Sequence, residues 1–207
     1  MSRATRSLPA PTIVNVGYRS TNFWVVSAGT SRLLVDLGWP GTAAALLANL
    51  ARAGIPMREV GHGFATHYHI DHAGAAEDLK ARGMRLVLTP EQAPFVDAMA
   101  RWTKPADRYT PITPAGNVVV AIGESREFLR GLGIPGELVH TPGHSADSVS
   151  LLLDTGAVFT GDLPRPSLAA SDDERAAVVD SWRALKDRGA ITVYGGHGPV
   201  GPLPGEA

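Results

Sequence analysis

His67-Tyr68-His69-Ile70-Asp71-His72 places three imidazoles and a carboxylate within six residues, in a chain of 207 residues that has seven histidines in all. Imidazole nitrogen and carboxylate oxygen are the ligands that borderline divalent metals such as zinc take when thiolate is absent, and this chain has no cysteine. One loop segment cannot surround an ion, so further ligands must come from elsewhere. Working outward, His144 lies in Thr141-Pro142-Gly143-His144-Ser145, Asp162 in Thr160-Gly161-Asp162, and His197 in Gly195-Gly196-His197-Gly198. Each follows a run with strand character. Glycine lets backbone pass close to a ligand, and loops at strand ends are where rigid scaffolds carry functional groups. Singly, each of these three residues reads as a cap or turn residue. Beside the 67–72 cluster, the metal reading outweighs that one.

The length fits one domain with a sizeable core. Hydrophobic residues make up 44% and charged residues 19%, as in ordinary globular proteins. A net charge of -1 gives no basic excess for nucleic acid or an anionic membrane. Residues 1–11 read as a loose tail ahead of a domain over 12–207. Arg3 and Arg6 are not followed by an apolar h-region, so no signal peptide is predicted. No apolar run approaches the roughly 18 residues of a membrane span. The default expectation is a cytoplasmic protein acting on a small molecule, without a nucleic-acid or membrane partner.

Apolar, β-branched runs predict strands at 12–16 and 22–27, joined by a hairpin at 17–21, and at 32–37, 63–66 and 85–88. Further strands are predicted at 118–122, 137–141, 148–153, 157–160 and 191–194. Helices are predicted at 43–53, capped by Thr42 and stopped by Gly54, and at 75–82. Two more follow at 91–102, with Pro94 in the first turn, and at 172–188, which opens on acidic residues. Residues 104–115 read as a loop. The mixture suits an α/β domain with sheets covered by helices.

The ordered set His67, His69, Asp71, His72, then His144, Asp162 and His197 resembles the metallo-β-lactamase-fold superfamily, and Leu34-Val35-Asp36-Leu37-Gly38 is similar to its early V-D-x-G segment. The resemblance runs from about Thr12 to Pro199. It implies a four-layer αββα sandwich with the metal site at one edge of the two sheets. It also implies two zinc ions, with iron or manganese as alternatives. His67, His69 and His144 would hold one ion, Asp71, His72 and His197 the other, and Asp162 would bridge them. The implied chemistry is hydrolysis by a hydroxide shared between the metals, with Asp71 also relaying a proton. Asp36 is expected to support the ligand loops by hydrogen bonding. His62 and His140 stand outside the pattern and read as supporting groups.

An aspartate at 162 resembles the thioesterase, lactonase and phosphodiesterase branches. The chain ends ten residues after His197, without the C-terminal helical region of glyoxalase-II-type thioesterases. A small ester, lactone or thioester is therefore the expected substrate. Phosphodiester or β-lactam hydrolysis, or a mononuclear iron sulfur dioxygenase, are the alternatives. Phe95, Met99 and Trp102 share helical spacing and read as core. Residues 102–114, with Lys104, Arg108 and Tyr109, read as a flap over substrate, with residues 17–21 and 163–171 as rim. Tyr194 reads as core or rim.

Overall fold

A computed structural model describes residues 10–205, so most of the predicted tail lies outside the described residues. The first half gives strands β1 (Thr12–Asn15), β2 (Trp24–Ala28) and β3 (Ser31–Val35), helix α1 (Ala43–Arg52) and strand β4 (His62–Phe64). Helices α2 (Ile70–Ala73) and α3 (Ala76–Lys80), strand β5 (Arg85–Leu88), helix α4 (Ala93–Val96) and strand β6 (Asn117–Val119) follow. The second half gives helix α5 (Ser125–Gly131), strands β7 (Gly136–His140), β8 (Val149–Leu153) and β9 (Ala157–Gly161), helix α6 (Asp172–Asp187), and strands β10 (Thr192–Gly195) and β11 (Gly201–Pro202). Strands β1 to β6 lie in sequence order in one sheet, and the other runs β11-β10-β9-β8-β7.

Alternation along the strands shows why the sheets stack. Val26, Leu33, Val35 and Phe64 of the first sheet pack with Leu151, Leu153 and Phe159 of the second. Their neighbours Val25 and Leu34 face the other way, onto Leu46 and Leu50 of α1 and Leu79 of α3. In the second sheet, Leu152 and Val158 turn outward onto Val178, Trp182 and Leu185 of α6. A period of two sends successive side chains to opposite faces. Three separate apolar clusters are therefore the three interfaces of a four-layer αββα sandwich, as the resemblance implied. Phe159 sits in the central interface, fully buried, with its ring 6.2 Å from Trp24 and 5.1 Å from Tyr194. Phe159→Ala is expected to cost about 3–5 kcal/mol in urea unfolding, and exposed Val119→Ala less than about 0.5 kcal/mol. Equal losses would contradict this packing.

Several predicted elements differ. The helix over 91–102 is broken into α4 and a 3₁₀ segment, Asp97–Trp102. Buried Gln92 ties that break to the site: Thr89 N donates to its Oε1, and its Nε2 donates to Ala65 O at 2.8 Å. Met99 is buried as predicted, whereas Trp102 ends the segment 71% exposed and is not core. Thr42 makes no side-chain cap on α1, because its hydroxyl donates to Trp39 O. The predicted strand 118–122 stops at Val119, and a 3₁₀ turn, Ile122–Glu124, leads into α5, which was not predicted. Helix α6 is capped as its sequence suggests: Ser171 Oγ accepts from Glu174 N, and Glu174 Oε2 accepts from Ala170 N. Among the described residues, no helix is long and apolar enough to cross a membrane.

Candidate metal centre

Four strands end at one edge of the sandwich and carry the predicted ligands. After β4 the chain runs through His67 to α2, which starts beyond His69 and holds Asp71 and His72. His144 follows β7, Asp162 follows β9, and His197 follows β10. These seven side chains meet in two adjoining groups. One is His67, His69 and His144; the other is Asp71, His72, Asp162 and His197, and within each group the possible ligand atoms lie within 4.8 Å of one another. His69 Nδ1 is 3.0 Å from His144 Nε2. His72 Nε2 is 3.2 Å from Asp162 Oδ1 and 3.4 Å from Asp71 Oδ2. Asp162 Oδ2 reaches both groups, 3.3 Å from His197 Nε2 and 3.7 Å from His144 Nε2.

His67 Nε2, His72 Nε2 and Asp162 Oδ1 are buried and have no hydrogen-bond partner, the short His72–Asp162 contact lacking hydrogen-bond geometry. Buried polar atoms are normally satisfied, and orphans in both adjoining groups, His67 in one and His72 with Asp162 in the other, fit bound cations. The donor set, imidazole and carboxylate without thiolate, fits zinc, iron or manganese.

The charges agree. Burial would raise the carboxyls of Asp162 and Asp71, but the contact and charge of His72, with His197 beyond, outweigh it and hold both at about 2. Burial pushes His67 well down and His144 down, keeping both imidazoles neutral. His72 is the exception. Burial pushes it down, but Asp36, Asp162 and Asp71 surround it and hold it well above its ordinary value. Its outer nitrogen, Nδ1, faces Asp36, so the proton to be shed for ligation is the one on Nε2.

The supporting shell explains how distant loops converge. Asp36 is buried at φ 61°, a left-handed conformation uncommon outside glycine and asparagine. Its Oδ1 accepts from Thr66 N at 2.8 Å and Thr66 Oγ1 at 2.9 Å, and its Oδ2 accepts from His72 Nδ1 at 2.9 Å. One carboxylate thus fixes the start of the 67–72 loop and aims His72 Nε2 inward. This is the role expected of Asp36. Asp147, unnoticed in the sequence, is buried and accepts from Tyr68 N at 2.7 Å. The His197 loop is pinned from the other sheet: Asn22 N donates to Gly196 O, Asn22 Nδ2 to Gly195 O and Gly198 O, and Trp24 Nε1 to Gly195 O. His197 Nδ1 faces Ser20 O at 2.5 Å. A Cβ at Gly196 would come within 2.5 Å of His72 Cε1 and 2.6 Å of Asp162 Oδ1. Only glycine lets that loop close on the centre.

His62 and His140 stay outside the two groups. His62 packs edge-on against Phe128, and His140 Nε2 faces Ala146 O at 2.8 Å. Trp102 lines a recess with His69, Ile70 and Asp71, which puts it at the site rather than in the core.

The description "Metallo-beta-lactamase superfamily" matches residues 16–197, which span every one of these side chains. The chain belongs to the metallo-beta-lactamase superfamily. Within that superfamily, it is 26% identical over 188 residues to "Lactamase-like protein GME11357" of Pestalotiopsis microspora, covering 88% of this chain and 50% of the relative. It is 29% identical over 185 residues to "Atrochrysone carboxyl ACP thioesterase" of Aspergillus fumigatus, covering 88% of this chain and 38% of the relative. The chain spans about half the length or less of these curated relatives. Among solved structures, the metallo-beta-lactamase family protein TTHA1429 of Thermus thermophilus superposes with TM-score 0.71 at 22% identity, over 95% of this chain and 76% of that one. TTHA1623 in a di-iron-bound form gives TM-score 0.71 at 26% identity, over 93% and 94%.

Proposed function

We propose that this chain is a metal-dependent hydrolase of a small thioester, ester or lactone, with a thioester as the first choice. The observation that carries the reading is the pair of adjoining ligand groups with Asp162 reaching both. His67, His69 and His144 would hold one divalent cation and Asp71, His72 and His197 a second, with Asp162 between them. Bound there, such ions lower the pKa of water to about 7 and polarise a substrate oxygen. Asp71 Oδ2, which accepts from Thr21 Oγ1 at 3.3 Å and faces His197 Nε2 at the same distance, is assigned to pass on the proton of the attacking water.

A cavity of about 540 Å³ opens beside His144, Asp162 and His197, and Leu163, Leu168 and Val200 line it. Leu168 and Val200 are exposed apolar residues. This wall suits the acyl part of a substrate, with Leu163 and Leu168 in the rim segment expected at 163–171 and Val200 outside it. The thioester preference is supported by relatives named as acyl-carrier thioesterases.

The test is a panel of acyl thioesters, esters, lactones, a phosphodiester and a β-lactam with zinc-loaded protein. The expected result is the highest kcat/KM on a thioester. A phosphodiester or β-lactam in first place would overturn the choice. A second reading, iron in place of zinc, is favoured by the likeness to a di-iron form. Metal analysis of protein purified without added metal separates the two, and oxygen uptake during turnover would identify oxidation rather than hydrolysis.

A further inference from the structure

Beside the Asp71 and Ile70 side of the centre lies a cavity of about 350 Å³ whose lining includes Arg19, Trp39, Ile70, Asp107 and Arg108. Ile70 also lines the recess that holds His69 and Asp71, so the two spaces adjoin. Among the described residues, neither guanidinium has a carboxylate partner. Arg19 lies over the Trp39 ring, 5.3 Å from its centroid, and no side-chain hydrogen bond joins Arg108 to another described residue. Unpaired arginines sharing one concavity attract an anion. The acid on the lining, Asp107, turns Oδ2 to the Lys104 amide at 2.6 Å.

The cavity is tied to the centre through hydrogen bonds. Trp39 Nε1 donates to Thr21 Oγ1 at 3.2 Å, and Thr21 Oγ1 donates to Asp71 Oδ2. Arg19 and Arg108 are also held at φ 57° and 55°, and Asp36 is the third such non-glycine residue among those described. A backbone in that region costs energy and persists where surrounding structure over-determines it. At Gly41 a Cβ would meet Asp107 O at 2.8 Å and Arg108 Cβ at 2.9 Å, so glycine is what lets the Arg108 turn lie against the Trp39 loop.

We propose that this cavity is an anion subsite that binds a phosphate carried by the thiol leaving group, so that the substrate is a thioester on a phosphorylated carrier thiol. The inference rests on the thioester reading above. Two guanidiniums supply several donors to the oxygens of one phosphate, and the subsite is set back from the ligand side chains behind Ile70 and Trp39, as suits a phosphate many bonds away from the thioester sulfur.

The test compares one acyl group carried on coenzyme A, on 4′-phosphopantetheine and on N-acetylcysteamine, which has no phosphate. The expected result is a lower KM for both phosphorylated carriers, by roughly tenfold or more, shrinking as salt is raised. Arg19→Ala with Arg108→Asn, asparagine being tolerated at positive φ, is expected to remove that advantage and leave the N-acetylcysteamine rate within about twofold. An advantage for coenzyme A alone would place the recognised group on its nucleotide and overturn the assignment to the pantetheine phosphate. Equal KM on all three carriers, or equal loss on all three in the variant, would overturn the subsite. Binding of S-ethyl-coenzyme A, a thioether that cannot be cleaved, keeps the two readings apart. Weaker binding to the variant supports the subsite even if no thioester is turned over, a result that would sink only the hydrolase reading. Unchanged binding overturns the subsite.

Discussion

Asp162→Ala is expected to lower kcat/KM by on the order of a thousandfold or more and to lower the metal content of the purified protein. The magnitude follows from what the residue holds in place. A nucleophile at neutral pH depends on bringing the pKa of water from 15.7 to about 7, which is metal chemistry. Asp162 is the carboxylate whose oxygens reach His72, His144 and His197, members of both ligand groups. Its removal would leave the neighbouring imidazoles and Asp71 without the negative charge that would offset the two cations proposed to sit there. The fold should survive, because Asp162 lies beyond the end of β9 and outside the three apolar clusters. Far-ultraviolet circular dichroism checks that point. A folded variant with full metal and full activity would remove Asp162 from the centre.

The second large effect is expected one layer out. Asp36→Asn keeps an oxygen for Thr66 and a residue type tolerant of positive φ, but it sets an amide nitrogen against His72 Nδ1. The imidazole must then place its proton on Nε2, the atom needed for ligation. Metal affinity is expected to fall roughly 10–100-fold, measured by competition with a chromophoric chelator. Asp36→Ala should do the same and also cost about 1–3 kcal/mol for each buried group left unpaired. Metal affinity within twofold of wild type in Asp36→Asn would contradict the positioning role.

How much of this was legible before folding depends on chain distance. The 67–72 cluster and the strand-end residues His144, Asp162 and His197 could be read because ligand chemistry restricts residue type and order. The apolar runs that hold Val25 and Val26, or Leu151 and Leu152, revealed strands, but which of each pair faces the other sheet was not visible in the sequence, and the resemblance rather than the pattern implied how two sheets stack. Asp147 and Asn22 left no signal, because a buried aspartate that braces Tyr68 looks in sequence like any turn aspartate. Their role exists only once β8 and the β1–β2 loop reach the centre. Of the two readings of Trp102, as core and as the start of the segment over substrate at 102–114, the first fails for a related reason. Helical spacing with Phe95 and Met99 placed it on the apolar stripe, yet the segment ends there and the ring overhangs the site. Helix α5 was hidden by its length of seven residues, too short for a clear period.

The most direct test of the central claim is a reconstitution titration. Protein stripped by a chelator is loaded with zinc in steps, and bound metal and thioester hydrolysis are followed together. The expected result is negligible turnover in the stripped protein, restored as two ions bind per chain. Undiminished hydrolysis by the stripped protein, or saturation without a second ion, would contradict a binuclear centre built by these seven side chains.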